Sequence, residues 1–316
     1  MRKIDAHLHI NFKSITASSF IKYLNSNNIE KCWLLTWEEL QPAIPSLYRN
    51  IPFTNFFDLY NRYPERIVPF YAPDPASRNI RERLSNYIAK GLKGCGELKV
   101  SYKWDNDIIA EYLDVLSDFK MPLIFHMEAP KYYYIPGRNY ADRAFALIMN
   151  GAFNGITGYY LRKLAGRITP INRHIQKKSV YFPGYLFDFA ALEKRISEYP
   201  QIKFIGHGPH FWNNISAGVS GKYFYQKGSY KDFGIIDLML EKYDNFYCDI
   251  SGRGGYNALR RDRRRTGEFL KKHSNKILFG TDNFDQSKLE NVILAAGLNN
   301  RELERIFFRN AEEILN

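Results

Sequence analysis

The chain has 316 residues, 45% of them hydrophobic and 25% charged, a soluble composition with apolar material for one large core or two small ones. No apolar run approaches the roughly 20 residues that span a bilayer, and no basic stretch precedes an apolar core at the start, so neither a membrane span nor a signal peptide is expected. The net charge of +12 would suit an anionic partner, but the densest run, Arg260-Arg261-Asp262-Arg263-Arg264-Arg265, reads as a solvated helix start, and most aromatics fall at apolar-periodic positions, so nucleic acid is not expected to be the partner.

The first predicted strand, residues 3–9, reads Lys3-Ile4-Asp5-Ala6-His7-Leu8-His9. Residues two apart on a strand share a face, so His7 and His9 project side by side with Asp5 behind them. Two neutral nitrogen donors so placed suit a divalent metal. An amphipathic stretch follows at 16–28, and thereafter short runs rich in β-branched or aromatic residues alternate with helical patterns. Strands are expected at 31–37, 67–71, 94–100, 122–127, 203–207, 245–250 and 276–281. Helices are expected at 53–63, 80–90, 107–119, 188–199, 232–243, 258–273, 286–296 and 301–315, with Thr16, Asp107 and Asp188 as opening caps. Cys32, Cys95 and Cys248 sit in the apolar runs without CxxC spacing and read as buried thiols of a reducing compartment, the cytoplasm.

Eight such units describe an α/β chain folded as a single (β/α)8 TIM barrel. A doubly wound open sheet is the alternative, but no glycine fingerprint follows the first strand. After strand five, residues 129–185 form an insertion rich in Tyr, Gly and Arg, too long to lack structure. Helices are expected within it near 142–150 and 159–164. It reads as a lid over the C-terminal face or an oligomer contact, not an independent domain. Tyr132, Tyr133, Tyr134 and Tyr140 are expected to pack this lid, with a pocket wall as their other use.

Barrel chemistry sits at the C-terminal strand ends. Those ends carry His7 and His9 on strand one, Glu97 and Lys99 on strand four, His126 on strand five, His207 on strand six and Asp282 after strand eight. Five strands thus finish on metal-competent groups, a placement that favours a metal site over core histidines.

The stretches Ile4-Asp5-Ala6-His7-Leu8-His9, Phe204-Ile205-Gly206-His207-Gly208 after Tyr199-Pro200, Phe279-Gly280-Thr281-Asp282 and Arg309-Asn310-Ala311, with His126 ending strand five, resemble the amidohydrolase superfamily. The resemblance is to its amidohydrolase-related branch of metal-dependent TIM-barrel hydrolases and decarboxylases, and it spans the chain apart from the insertion. It implies His7, His9 and His126 as ligands, His207 as a second-metal ligand or substrate-orienting group, and Asp282 as a weak ligand that takes the proton of the activated water. Strand four in many members carries a carboxylated Lys bridging two metals; in others, such as the TatD-like deoxyribonucleases, it carries a Glu. This chain offers both, and Glu97 is favoured because it needs no modification. Lys99 is then left to contact an anionic substrate group, or simply to pair with Glu97.

Around this set, His210 on a rim loop and Arg253 in the Gly-rich stretch Ser251-Gly252-Arg253-Gly254-Gly255 are candidate substrate contacts, Arg253 as an anion clamp. Glu128 shares a strand face with His126, Asp249 is expected to support the strand-seven loop, and His174 and His273 read as surface residues. The expected function is hydrolysis of a C–O or C–N bond, in a lactone or amide of a small, anionic molecule, by a metal-activated water with Asp282 as general base and His207 assisting. Zinc is the expected ion, with manganese the alternative and one or two ions in the site. The rivals are a decarboxylase of the same branch, a TatD-like nuclease, and a barrel that has lost its metal. The expected partner is a small-molecule substrate rather than nucleic acid or membrane, with self-association left open.

Overall fold

The computed structural model describes residues 1–9, 16–38, 53–135, 140–149, 156–220 and 224–316. Among the described residues ten strands run in chain order: β1 (Ile4–Leu8), β2 (Lys31–Trp37), β3 (Ile67–Ala72), β4 (Cys95–Leu98), β5 (Leu123–His126), β6 (Lys131–Tyr134), β7 (Ser179–Phe182), β8 (Phe204–His207), β9 (Phe246–Asp249) and β10 (Ile277–Leu278). Eight of them match the expected positions and pair in parallel, as β1-β2-β3 and β10-β9-β8-β5-β4. Their side chains are almost wholly buried, which explains why the strands read as continuous apolar runs rather than alternating ones. A parallel bridge between Phe70 and Gly94 joins β3 to the β4 edge, and the Ala6 amide donates to the Phe279 carbonyl at 2.9 Å beyond β10.

Helices connect the strands where the periodicity places them, with one adjustment in capping. Thr16 and Asp188 do cap, but Asn106 rather than Asp107 accepts from the first turn, its carboxamide taking the Ile108 amide at 2.9 Å. The arginine run begins the helix Arg263–Lys272, capped by Asp262. The stretch 251–255 is not a loop. It opens the helix Gly252–Leu259, which the flanking glycines had disguised. No helix among the described residues is long and apolar enough to cross a membrane.

Between β5 and β8 lie the helices Tyr140–Met149, Ile156–Arg167 and Thr169–Lys178, together with an antiparallel pair that periodicity did not anticipate. In that pair β6 faces β7 with Tyr132 opposite Tyr181, and an antiparallel bridge from Glu128 to Tyr185 fastens its base. The aromatic, β-branched run at 179–182 carried the signal, but it is too short to separate from the end of a helix.

Register brings the polar strand ends together. β5 and β8 pair so that His126 stands beside His207. Gly206 sits one residue before, and a Cβ there would lie 2.1 Å from the Phe211 ring, which is fully buried among Phe125, Phe189 and Phe246. Overpacking of this kind costs roughly 1–3 kcal/mol. Gly206→Ala is therefore expected to lower unfolding free energy by that amount in urea titrations, and Phe211→Leu, which removes the clashing ring, to make the double variant less destabilised than the two single costs combined. Strictly additive losses would show that the ring does not fill the space above Gly206.

Candidate metal centre

The first strand supplies two imidazoles with both rings locked. His7 Nδ1 lies 2.7 Å from Asp249 Oδ2, and His9 Nδ1 lies 2.8 Å from the Leu35 carbonyl. An acceptor at each Nδ1 fixes the proton there and leaves each Nε2 lone pair facing inward. The two Nε2 atoms are 3.1 Å apart. Glu97 Oε2 approaches them at 3.6 Å and 3.2 Å, and Asp282 Oδ1 at 3.9 Å and 3.5 Å. A tetrahedral ion with bonds of about 2.0–2.1 Å has ligand–ligand edges of about 3.4 Å, so these separations suit a zinc-sized ion. Two lone pairs facing each other in a buried site also require something positive between them, either a proton on one ring or a cation.

A second group adjoins the first through the other Glu97 oxygen. Oε1 lies 2.6 Å from His126 Nδ1 and 3.7 Å from His207 Nε2, and the second nitrogen of His126 is buried without a hydrogen-bond partner, the nearest acid being Glu128 at 3.5 Å. Glu97 therefore faces both groups, as a bridging carboxylate would. The residues fit one divalent ion well and have the donors for two.

Electrostatics follow from burial and neighbours. Burial opposes ionisation of Glu97, but Lys99, His126 and His7 outweigh it and hold the carboxyl well below the usual range. Burial likewise opposes charge on His7, and Asp249 with Glu97 outweighs it, raising its pKa. His207 moves the other way, lowered by burial and by His7. Lys99 Nζ lies 2.7 Å from Glu97 Oε2 and 4.3 Å over the Trp37 ring, so Glu97 takes the place among the imidazoles and Lys99 is its ion-pair partner.

The backbone after β10 holds the strand-one pair in place. Asp5 accepts from the Thr281 amide and hydroxyl at 2.9 Å and 2.6 Å and from the His7 amide at 3.1 Å. The Asp282 amide donates to the His7 carbonyl at 2.7 Å, and the Asn283 carboxamide exchanges two bonds with the His9 backbone. Burial of Asp5 among these donors pushes its pKa up to about 7. Gly252, at φ +68°, leaves room for Asp282, since a Cβ there would lie 2.8 Å from Oδ2.

His7, His9, Glu97, His126, His207 and Asp282 are thus brought together, and Lys99 joins them. His210 is half-buried against Phe187 and Phe189 on the helix Pro209–Asn213, and burial depresses its pKa to about 4. Arg253 is exposed on its helix and is not brought into the group. His273 is not a surface residue: it is 3% exposed and lies 2.8 Å from Asp237. Asp249 does more than support its loop. It accepts the Ser251 amide at 2.7 Å while orienting His7, and its Oδ1 is 3.5 Å from His207 Nδ1. As the last polar residue of β9, it met the same strand-end criterion as the ligands. Asn283 and Ser251, the latter 2.9 Å from His207, had no such signal.

No family model matches the sequence, and no curated protein matches it either. Solved structures do. A probable 2-pyrone-4,6-dicarboxylic acid hydrolase from Acinetobacter baumannii, with citric acid bound, superposes at TM-score 0.57 with 13% identity, covering 100% of this chain and 99% of its own. An amidohydrolase from Burkholderia multivorans with bound zinc gives 0.55 at 8% identity over 100% and 99%. A mutant of 5-carboxyvanillate decarboxylase from Novosphingobium aromaticivorans, with manganese and 3-methoxy-4-hydroxy-5-nitrobenzoic acid, gives 0.51 at 12% over 95% and 81%. The chain shares the fold of these structures along its whole length.

Residues behind a metal ligand typically tune affinity 10–100-fold. Asp249→Ala is expected to weaken zinc binding by about that factor in competition titrations against a chromogenic chelator, with Ser251→Ala costing less. An Asp249→Ala protein with unchanged affinity would mean that His7 is oriented by packing alone.

Proposed function

We propose that this chain is a metal-dependent hydrolase in which His7, His9, Glu97 and Asp282 hold one divalent ion and Glu97, His126 and His207 have the donors for a second. The observation that carries the reading is that the His7 and His9 Nε2 atoms lie 3.1 Å apart and that Glu97 Oε2 and Asp282 Oδ1 each approach both of them at 3.2–3.9 Å. When bound, such an ion lowers the pKa of a coordinated water from 15.7 to about 7 and polarises a carbonyl. Asp282, the most accessible of the carboxylates here, accepts the proton of the attacking water; its other oxygen lies 3.8 Å from His207 Nε2. His207, held at Nδ1 by Ser251 and Asp249, presents Nε2 to the substrate oxygen. Lys99, released from Glu97 by a competing cation, is placed to meet a substrate carboxylate. Zinc is the favoured ion for the His/carboxylate set, and manganese fits a two-ion site.

In this reading the substrate is a small lactone or amide, the eight parallel strands close into one barrel, and residues 129–185 overlie their C-terminal ends. Support for closure comes from the hydrogen bonds at Phe70–Gly94 and Ala6–Phe279; support for the insertion's placement comes from its departure directly after His126. The solved relatives in fold include both hydrolases and a decarboxylase, so the reaction is assigned by assay.

The test is metal analysis of the purified protein beside a panel of lactones, amides and aromatic carboxylic acids. Stoichiometric zinc or manganese is expected, lost in His9→Ala and Glu97→Gln. Asp282→Asn is expected to keep most of the metal while turnover falls about 10²–10⁴-fold, the usual range for loss of a general base. Undiminished turnover in Asp282→Asn would remove it from the mechanism. Carbon dioxide release without hydrolysis would transfer the site to decarboxylation, and chelator-sensitive cleavage of DNA would transfer it to a nuclease.

A further inference from the structure

The insertion concentrates basic charge and exposed apolar side chains. Residues 129–185 contain nine Lys and Arg against a single acid, Asp142, and so carry two thirds of the chain's net charge of +12. Asp142 is itself engaged, bonded to Tyr134 and paired with Lys178. Most of the exposed large apolar side chains of the described residues also lie on this segment.

Along the helix Ile156–Arg167 these features are ordered. At 100° per residue, Tyr160, Leu161 and Leu164 fall within one arc of about 100°, and Ile168 continues it one turn later. An apolar arc of that kind ordinarily faces a core, yet Tyr160 is 58% exposed, Leu164 57%, Ile168 42% and Leu161 40%. Lys163 and Arg167, both exposed, border the arc on one side. The next helix, Thr169–Lys178, contributes exposed Arg173 and Lys177, and the β6–β7 pair presents Tyr132 and Tyr181, 70% and 54% exposed, with their rings 5.3 Å apart.

We propose that the insertion docks this chain on an anionic lipid surface, the helix Ile156–Arg167 lying in the interface with Tyr160, Leu161 and Leu164 among the acyl-chain tops and Lys163 and Arg167 at the headgroups. The charge decides the occupant. A second copy would bring two surfaces of the same sign together, which costs rather than stabilises. A bilayer containing acidic phospholipids offers negative charge and apolar depth at one surface, the combination that holds amphipathic helices with basic flanks. Tyrosine favours that boundary, and long basic side chains reach from an apolar bed to the headgroups. Single-stranded nucleic acid would use the tyrosines and the charge but has no use for Leu161, Leu164 and Ile168.

The experiment is co-sedimentation of the full-length protein with vesicles of phosphatidylcholine alone or mixed with phosphatidylserine, with single-stranded DNA as a separate probe. Binding to the mixed vesicles is expected, falling with added salt and on removal of phosphatidylserine. The double variant Leu161→Ser, Leu164→Ser is expected to lose about tenfold in partitioning, and Lys163→Glu with Arg167→Glu at least as much. Because these side chains are exposed, the variants should keep the parent melting profile and metal content, which separates lost docking from lost fold. Failure to bind mixed vesicles, unchanged partitioning of the double-Ser variant, tight binding of DNA without lipid, or a dimer that the double-Ser variant dissociates would each overturn the proposal. None of these outcomes bears on the metal centre.

Discussion

The site rests on a 3.1 Å separation between two imidazole nitrogens whose protons are committed elsewhere. Asp249 takes the Nδ1 proton of His7, and the Leu35 carbonyl takes that of His9. The inward lone pairs then repel unless a positive charge lies between them. The backbone prevents the rings from relaxing apart: Thr281, Asp282 and Asn283 bond in turn to Asp5, to the His7 carbonyl and to both backbone groups of His9. A segment from the far end of the chain therefore fixes the geometry of the first strand, and the arrangement exists only once the last strand has docked. Such non-local pairing makes the centre a late product of folding rather than a local motif.

That dependence explains what could be read from the sequence. The eight buried strands were legible because each is a short apolar run bounded by helical periodicity, and the clustering of the candidate site residues because strand ends in such a fold point to one face. Asp249 met the same criterion but was assigned only to its loop. Its partners are side chains more than forty residues away, and no spacing rule carries that information. His273 was misread for a related reason. It follows a lysine pair at the end of a solvated helix, yet its ring turns inward to Asp237. The stretch 251–255 did not read as a helix because glycine is read as a breaker. In the structure Gly252 is small so that Asp282 can stand beside it, and the remaining glycines sit close to the Gly208 and Ile250 backbones while continuing a helix.

The insertion obeys different physics from the parallel strands. Core strands are specified by what they bury, so their apolar pattern is a reliable guide. On the insertion's helix Ile156–Arg167 an apolar arc faces solvent, so the same periodicity that marks a core helix elsewhere marks an outward stripe there. Periodicity gives the angular spread of a stripe and says nothing of which way it faces. The contrast in charge is equally sharp: the strand ends gather buried acids, while the insertion gathers exposed bases. The chain's high net charge is thus a property of one segment and carries little information about the chemistry of the centre.

The buried acids set the electrostatics of the centre. Glu97 and Asp249 are fully buried and ionised, a condition that costs several kcal/mol per group unless compensated. Around them every nearby group that can carry positive charge is drawn in: Lys99 onto one Glu97 oxygen, His126 onto the other, and His7 between Glu97 and Asp249. His7 and His126 are pushed toward the protonated form by those same contacts. Stability alone would favour replacing such a cluster with apolar side chains of similar volume. A divalent ion held as proposed would satisfy the carboxylates with two charges at one point and would leave Lys99 available for a substrate, so the proposed function accounts for the cost of burying this charge.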